Sequence, residues 1–296
     1  MPLAAAPTSV AHHLTVDVEE YFHVSAMEPF VPREAWPGMA SRLEVSMDRC
    51  LGMFDDFRVK GTFFVLGVVA RDHPEVVRRL AREGHEVASH GWDHRRVTHL
   101  TPDAFRIQVR ESRALLEDLT GSAVLGYRAP SFSIVPGREW ALDILVEEGY
   151  RYDSSLYPVR RPGYGYPSAS RHVDQVTRPP GELILVPPAT LKVLGQNLPA
   201  GGGGYLRQLP LTLTRRALAA LAAEGEPGTL YFHPWELDPD QPRIPGPGWL
   251  TRIRHYRGLD RMEARLRALM SEFSFRPVRE GVDGWAQERV DGSARS

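Results

Sequence analysis

The sequence predicts an α/β fold with mostly parallel strands, either closed as a barrel or left as an open sheet. Three observations carry that expectation. Some seven short apolar, β-branched or aromatic runs alternate with helical patterns. The helical patterns open and close on capping residues. Unusual polar residues recur at the C-terminal ends of the expected strands, the edge where parallel α/β folds build their sites.

Taken in order, His13 to Val18 is the first strand and leads into Asp17-Val18-Glu19-Glu20. Ser41 to Phe57 reads as a helix, with Ser41 and Glu44 spaced as a capping box. Gly61 to Leu66 (GTFFVL) suits a buried strand, and Val68 to Glu83 a helix stopped by Gly84. Glu86 to Ser89 is a short strand that delivers His90. Thr101 as N-cap and Pro102 at N1 open a long helix to about Leu119, closed near Gly121. The strand Val124 to Tyr127 ends at Arg128-Ala129-Pro130. A helix Arg138 to Glu148 ends at Gly149, and Tyr150 to Asp153 begins the next strand. A strand Glu182 to Val186, a helix Thr212 to Glu224 and a strand Thr229 to Phe232 ending at His233 follow. The last strong helix is about His255 to Glu272, before a short segment Phe273 to Val278.

Two stretches break the rhythm, Pro158 to Pro180 and Gln196 to Pro210, the second with four consecutive glycines, Gly201 to Gly204. Tyr164, Tyr166 and Tyr205 within them are expected to pack over the mouth of the fold rather than act as linkers. The expected organisation is an extension over residues 1–12, one catalytic unit over 13–282 and a polar, frayed tail over 283–296.

Composition narrows the function. A hydrophobic fraction of 42% and a charged fraction of 25% are those of an ordinary globular chain. A net charge of −1 argues against nucleic acid as the main partner. The lone Cys50 allows no intramolecular disulfide and is expected to be inert core. No stretch approaches the roughly 20 apolar residues that span a bilayer, and Met1 to His13 has no signal-peptide pattern, so the expected location is cytoplasmic. No Gly-x-Ser-x-Gly elbow supports a serine nucleophile, and the glycine run lacks the Gly-Lys-Ser/Thr ending of a phosphate loop.

His90 and His94, four residues apart, can converge on one metal from a helical turn or a tight loop. A carboxylate from another strand end would complete a set of two histidines and one carboxylate that leaves positions open for water and substrate. Asp17 and Glu19 supply two candidates on the same side of a strand: one can bind the metal while the other takes a proton from the attacking water. Glu20 fits a solvated acidic edge better than either.

The motifs T-V-D-V-E, S-H-G-W-D-H, Y-R-A-P-S-F, Y-D-S-S and L-Y-F-H-P-W-E occur in this order. Together they resemble the polysaccharide deacetylases, the NodB-homology enzymes of carbohydrate esterase family 4. The opening Asp17 to Val24 and the late Gly202 to Arg207 are most similar to the subfamily found beside exopolysaccharide and exosortase (PEP-CTERM) loci. The resemblance runs from roughly Leu14 to Val278 and implies a distorted (β/α)7-type barrel, a divalent metal, usually zinc, and hydrolysis of N-acetyl groups on an amino-sugar polymer or oligomer.

Carried over by position, it makes Asp17 the base, His90 and His94 metal ligands, and Arg128 the group that holds the base carboxylate. Glu19 stands one residue later than the aspartate that many members place directly after the base; the same-face argument prefers it as ligand over Glu20. Pro130 would set the following backbone so that the Ser131 N–H can serve an oxyanion. Asp153 would tune a histidine, His233 would protonate the leaving amine, and Trp92 and Leu230 would wall the acetyl pocket or form a sugar platform. Two rivals stay open: an allantoinase-like hydrolase of small cyclic amides, and a barrel that binds carbohydrate without turnover.

Overall fold

The computed structural model describes residues 10–161 and 163–293; residues 1–9 of the expected extension and 294–296 of the expected tail lie outside them. The strands, in chain order, are β1 (His12–Val18), β2 (Thr62–Val65), β3 (Glu86–Ser89), β4 (Gly126–Tyr127), β5 (Tyr152–Asp153) and β6 (Asp174–Arg178). They continue with β7 (Gly181–Leu185), β8 (Thr190–Val193), β9 (Gln196–Pro199), β10 (Thr229–Phe232) and β11 (Phe275–Arg276). The α-helices are α1 (Leu43–Asp56), α2 (Gly67–Asp72), α3 (Pro74–Arg82), α4 (Pro102–Thr120) and α5 (Trp140–Glu147). After them come α6 (Gly203–Gln208), α7 (Leu211–Ala223), α8 (Trp249–Tyr256), α9 (Leu259–Glu272) and α10 (Val278–Ser293).

Among the described residues the main sheet runs β10-β1-β2-β3-β4-β5-β7-β6, with β11 pairing the start of β1 before β2 begins. Every neighbour pair is parallel except the β6–β7 hairpin. The sheet curls until the chain leaving β7 meets β10, where Pro188 bridges Thr229 in parallel and the Ala189 N–H donates to the Thr229 carbonyl at 2.9 Å. The result is a barrel closed by single bridges rather than a full strand pair, which is the distorted barrel expected.

The period of two along β1 sorts its residues. Leu14, Val16 and Val18 pack into the large core shared with the outer helices, where Cys50 is also fully buried. Thr15 and Asp17 face the other way, toward the barrel axis. Phe64, Ala88, Tyr152 and Ile184 fill that axis, and Val278 and Val282 of α10 join them from below. Val278 and Val282 thus plug the barrel floor from the first turns of α10, and the tail expected to fray from residue 283 on continues that helix to Ser293. Its first N–H groups are taken up by Thr62 Oγ1 (from Val278, 2.7 Å) and Glu86 Oε2 (from Arg279, 2.9 Å). Gly281 lies against His13, where a Cβ would stand 2.1 Å from Nε2. Each valine removed from water there stabilises the closed floor by roughly 1.5–3 kcal/mol. The polar residues between Val278, Val282 and Trp285 hide this spacing from a composition reading.

Other differences have local causes. The helix expected over Val68 to Glu83 breaks into α2 and α3 at His73, because Pro74 offers no N–H and takes the N1 position instead. The one expected over His255 to Glu272 splits into α8 and α9 at Gly258, φ +79°. The Ser41–Glu44 capping box does not form; α1 begins after Arg42, which makes no side-chain cap. β6 falls in the first of the two stretches that lacked rhythm and β9 and the short α6 in the second; their hairpin partners β7 and β8 lie between the two. Thr101, by contrast, caps α4 through Ala104 N at 3.2 Å, as expected. No helix of the described residues is long and apolar enough to cross a membrane.

His12 and His13 are buried at the floor, each with an Nε2 that meets no partner, and burial pulls their pKa values down to about 4 and about 3. Between those values and about 6.5 the unfolded chain binds protons that the folded chain refuses, so stability is whole above about 6.5 and is lost as pH falls. The urea midpoint should drop between pH 7 and pH 4, at up to about 1.4 kcal/mol per pH unit for each histidine. His12→Asn, which can still accept the Gly228 N–H made to Nδ1 at 2.9 Å, should flatten that slope. An unchanged slope would remove His12 from the acid response.

Candidate active site

Asp17 is the second-to-last residue of β1 and Glu19 lies two residues on, both buried and both lining one cavity of about 330 Å³ at the C-terminal mouth of the barrel. Glu20 turns the opposite way. Its carboxylate accepts the N–H groups of Arg42 (3.1 Å) and Leu43 (3.2 Å) and the hydroxyl of Ser41, so it does for α1 what the Ser41–Glu44 box was expected to do. The same-face argument thus separates the two glutamates as the geometry does.

His90 and His94 sit on the loop after β3, not on a helix. The start of α2 pins that loop: Gly67 N–H donates to the Gly91 carbonyl at 2.9 Å and Val68 N–H to the Trp92 carbonyl at 3.0 Å. His94 adopts φ +57°, a left-handed conformation that costs a non-glycine residue roughly 1–2 kcal/mol and is held by its surroundings. His90 Nδ1 donates to the Arg128 carbonyl at 2.8 Å; a carbonyl can only accept, so Nε2 is left as the lone-pair nitrogen. One ligand atom each from Glu19, His90 and His94 lies within 4.8 Å of the other two. Glu19 Oε2 is fully buried and accepts no well-directed hydrogen bond, although His94 Nε2 is 2.9 Å away. An orphaned carboxylate oxygen facing imidazole nitrogens is a donor set that fits a divalent metal. Burial by itself would raise the Glu19 pKa; His94, His233 and His90 outweigh it and hold the carboxyl well below the usual range.

Arg128, fully buried, donates from Nη1 to Asp17 Oδ1 at 2.7 Å and Thr15 Oγ1 at 2.8 Å, and from Nη2 to Ser154 Oγ at 2.8 Å. Its guanidinium lies 4.1 Å from the centre of the Phe64 ring. One Asp17 oxygen is therefore committed to Arg128 while Oδ2 faces His233 Nε2 at 3.9 Å.

His233 follows β10. Its Nε2 lies 3.4 Å from Glu19 Oε1, and its Nδ1 is bonded to Glu236 Oε2 at 2.9 Å. The ring stacks on Trp235, centroids 5.2 Å apart at 23°, and the Trp235 indole N–H reaches Glu19 Oε1 at 3.3 Å. Burial pulls the His233 pKa down, but Glu19, Glu236 and Asp17 together push it up to about 9. Glu236 is itself paired with the buried Arg207 and, against burial, is held down at about 2 by Arg207 and His233.

The remaining expected residues divide. Ser131 lines the cavity with φ +54°, directly after Pro130, and its hydroxyl bonds Ser25 at 2.8 Å. Asp153 meets no histidine: its carboxylate accepts the Ser155 hydroxyl at 2.5 Å and the Ser155 N–H at 2.9 Å, and Ser155 Oγ in turn holds the Ala129 N–H at 2.8 Å. Buried there, Asp153 has its pKa raised to about 6. Leu230 packs into the core behind β10, because only alternate residues of a strand share a face. Tyr231, two residues before His233, takes the cavity wall instead. Trp92 covers Gly67 and lines a separate cavity with Trp36 and His23, so it does not wall this site. Tyr164 reaches the cavity and bonds the Tyr205 hydroxyl, whereas Tyr166 is anchored to Glu139 at 2.7 Å, away from the mouth. Sequence reasoning missed Tyr231, Phe132 and Glu236. Period-two counting back from His233 would have found the first, and the quoted L-Y-F-H-P-W-E motif contains the last.

Residues 41–151 match the polysaccharide deacetylase family model, and residues 154–283 match a domain of unknown function, DUF3473. The chain carries a polysaccharide deacetylase domain. His90, His94 and Arg128 lie within the matched deacetylase stretch, Asp17 and Glu19 precede it, and His233 lies in the second. A peptidoglycan deacetylase of Helicobacter pylori is 31% identical over 115 residues, 38% of this chain and 38% of that protein. A chitooligosaccharide deacetylase of Sinorhizobium fredii is 31% identical over 121 residues, 33% of this chain and 56% of that protein. The match spans less than two thirds of either relative. In fold, the chain is similar to a Mycobacterium smegmatis crystal structure named as a polysaccharide deacetylase: TM-score 0.65, 22% identity, 96% of this chain and 95% of that one. It is also similar to PuuE allantoinase: TM-score 0.58, 17% identity, 93% and 89% of the two chains.

The two glutamates make separable predictions. Glu19→Ala should sharply reduce zinc binding in a calorimetric titration at nearly unchanged stability. Glu20→Ala should leave zinc binding in place and lower unfolding stability by about 1 kcal/mol, the usual worth of a helix cap. The reverse pattern would exchange their assignments.

Proposed function

We propose that this chain is a metal-dependent carbohydrate N-deacetylase that hydrolyses N-acetyl groups on an amino-sugar polymer or oligomer. The observation that carries the reading is the convergence of Glu19, His90, His94, Asp17 and His233 on one cavity. A divalent metal held by Glu19, His90 and His94, zinc by preference, would supply Lewis acidity toward the amide carbonyl and lower the pKa of water from 15.7 to roughly 7.

The chain's own groups divide the proton work. Asp17, oriented by Arg128, accepts the proton of the attacking water through the oxygen that Arg128 leaves free. His233, held through Nδ1 by Glu236, presents Nε2 to the leaving nitrogen as proton donor, so that an amine departs rather than an amide anion. The Ser131 N–H, on the left-handed turn after Pro130, is the proposed oxyanion donor.

An exopolysaccharide substrate is the finer reading, resting on Asp17 to Val24 and Gly202 to Arg207. The second of these has a structural reason. Gly202, φ +146°, passes so close to β10 that a Cβ would stand 1.7 Å from the Tyr231 carbonyl, and Arg207 is the partner of Glu236. The fold shared with an allantoinase favours comparing a cyclic ureide as rival substrate. Acetate release from acetylated chitooligosaccharides without turnover of allantoin would support the glycan reading; the opposite result would replace it, and no turnover of either would leave a binding protein.

Asp17→Asn should retain zinc and lose roughly 100- to 10,000-fold in rate, the usual cost of removing a general base. Normal turnover by this variant once zinc is supplied would end the base assignment. His233→Ala should damage amide hydrolysis far more than hydrolysis of 4-nitrophenyl acetate, whose phenolate leaves without a proton. Equal losses on both substrates, with fold and zinc content intact, would make His233 a positioning residue.

A further inference from the structure

A second cavity, of about 690 Å³, adjoins the candidate active site and shares two wall residues with it, Tyr164 and Gly204. Its other lining includes Arg161, Tyr205, Gln208 and Arg254, and no carboxylate lines it. Among the described residues neither Arg161 nor Arg254 is in an ion pair; Arg161 instead lies 5.9 Å from the centre of the Tyr205 ring. The cavity is therefore cationic, has two phenol rings for a wall, and adjoins the cavity of Asp17 and His233 at Tyr164 and Gly204.

We propose that this cavity is a substrate subsite that takes an anionic group, a carboxylate or a phosphoryl group, carried by the glycan beside the acetylated sugar. The inference rests on the deacetylase reading only in that one glycan chain would occupy both cavities. A polymer substrate has to lie across more than the unit being cut, and the two cavities adjoin at Tyr164 and Gly204. Guanidinium groups without a carboxylate partner match carboxylate and phosphate by paired N–H donors, and aromatic rings bury the apolar face of a neighbouring sugar. The wall is not a loose surface. The Arg254 carbonyl accepts from Arg207 Nη2 and from Gln208 Nε2, each at 3.0 Å. Arg207 also grips the carbonyls of His255 (2.9 Å) and Arg257 (2.7 Å) and pairs with Glu236, which holds His233. The end of α8 that carries Arg254 is thus tied to the proposed acid through two buried side chains, Arg207 and Glu236. All of these residues, Arg161 included, lie in the stretch matching the domain of unknown function, which gives that stretch a role in choosing substrate.

The test measures binding by calorimetry for three probes: chitohexaose, neutral; a hyaluronan hexasaccharide, which alternates glucuronate with N-acetylglucosamine; and UDP-N-acetylglucosamine, which carries phosphoryl groups. At low salt at least one anionic probe should bind about tenfold tighter than chitohexaose, with the advantage shrinking as salt rises. Preference for hyaluronan identifies the group as a carboxylate, and preference for the nucleotide sugar as a phosphoryl group. The double variant Arg161→Gln, Arg254→Gln should bring the ratio of affinities close to one, and Arg254→Glu should turn it toward the neutral probe, with unchanged circular dichroism. Equal affinity of the wild-type protein for all three probes, or a preference that survives the double variant, would overturn the proposal. Acetate release is scored separately: a charge preference without deacetylation of any probe would sink the proposed activity and leave the subsite standing.

Discussion

A guanidinium with no exposed surface has to find partners for its donors inside the protein, and Arg128 finds them on strand ends that are far apart in sequence. Thr15 and Asp17 come from β1 and Ser154 from the end of β5; Ser154 passes the contact on to the Val186 carbonyl beyond β7 at 2.7 Å. The Arg128 carbonyl meanwhile sets the tautomer of His90. One buried charge therefore aligns the mouth of the barrel, and leaving it without Asp17 would cost roughly 3–5 kcal/mol, as for buried ion pairs in general. Asp153 belongs to the same framework, since through Ser155 it holds the backbone on which Arg128 is mounted.

The opposite wall is organised by a second buried chain of charges, Arg207 to Glu236 to His233. Arg207 is supplied by α6, which exists because the glycines before it let the chain run against β10. This chain does what Arg128 does for Asp17: it satisfies a buried acid on one side and fixes the side chain facing the cavity on the other. The two systems meet at Glu19, whose oxygens lie near His94, His233 and the Trp235 indole. Because Arg128 belongs to the deacetylase-matching stretch and Arg207 and His233 to the one that follows, neither stretch builds the cavity without the other.

The local rules of the chain made much of this legible in advance. Period-two alternation located β1 and separated Asp17 and Glu19 from Glu20, and a compact β-branched and aromatic run marked β2. Capping at Thr101 and left-handed glycines after the helices bounded α4 and α5. Failures came where a local signal had a competitor from far away. Glu20 displaced the Ser41–Glu44 box because a carboxylate from another element reached the N–H groups first. The helix that starts at Val278 and runs into the expected tail went unread because the partners of Val278 and Val282 lie on the barrel axis, nearly 200 residues or more upstream for Phe64 and Ala88.

By itself the sequence determined the parallel α/β alternation, the side of each strand that could carry chemistry, and the residue types gathered at the strand ends, since these follow from backbone periodicity and steric limits within a few residues. Only the tertiary structure decided which groups meet: that Glu19 faces two imidazoles, that Tyr231 and not Leu230 lines the cavity, that Asp153 supports backbone, and that Glu236 holds His233. Those outcomes depend on how buried polar atoms compete for partners across the barrel. A buried charge is satisfied by whichever group the whole fold brings within about 3 Å, and sequence spacing does not contain that distance.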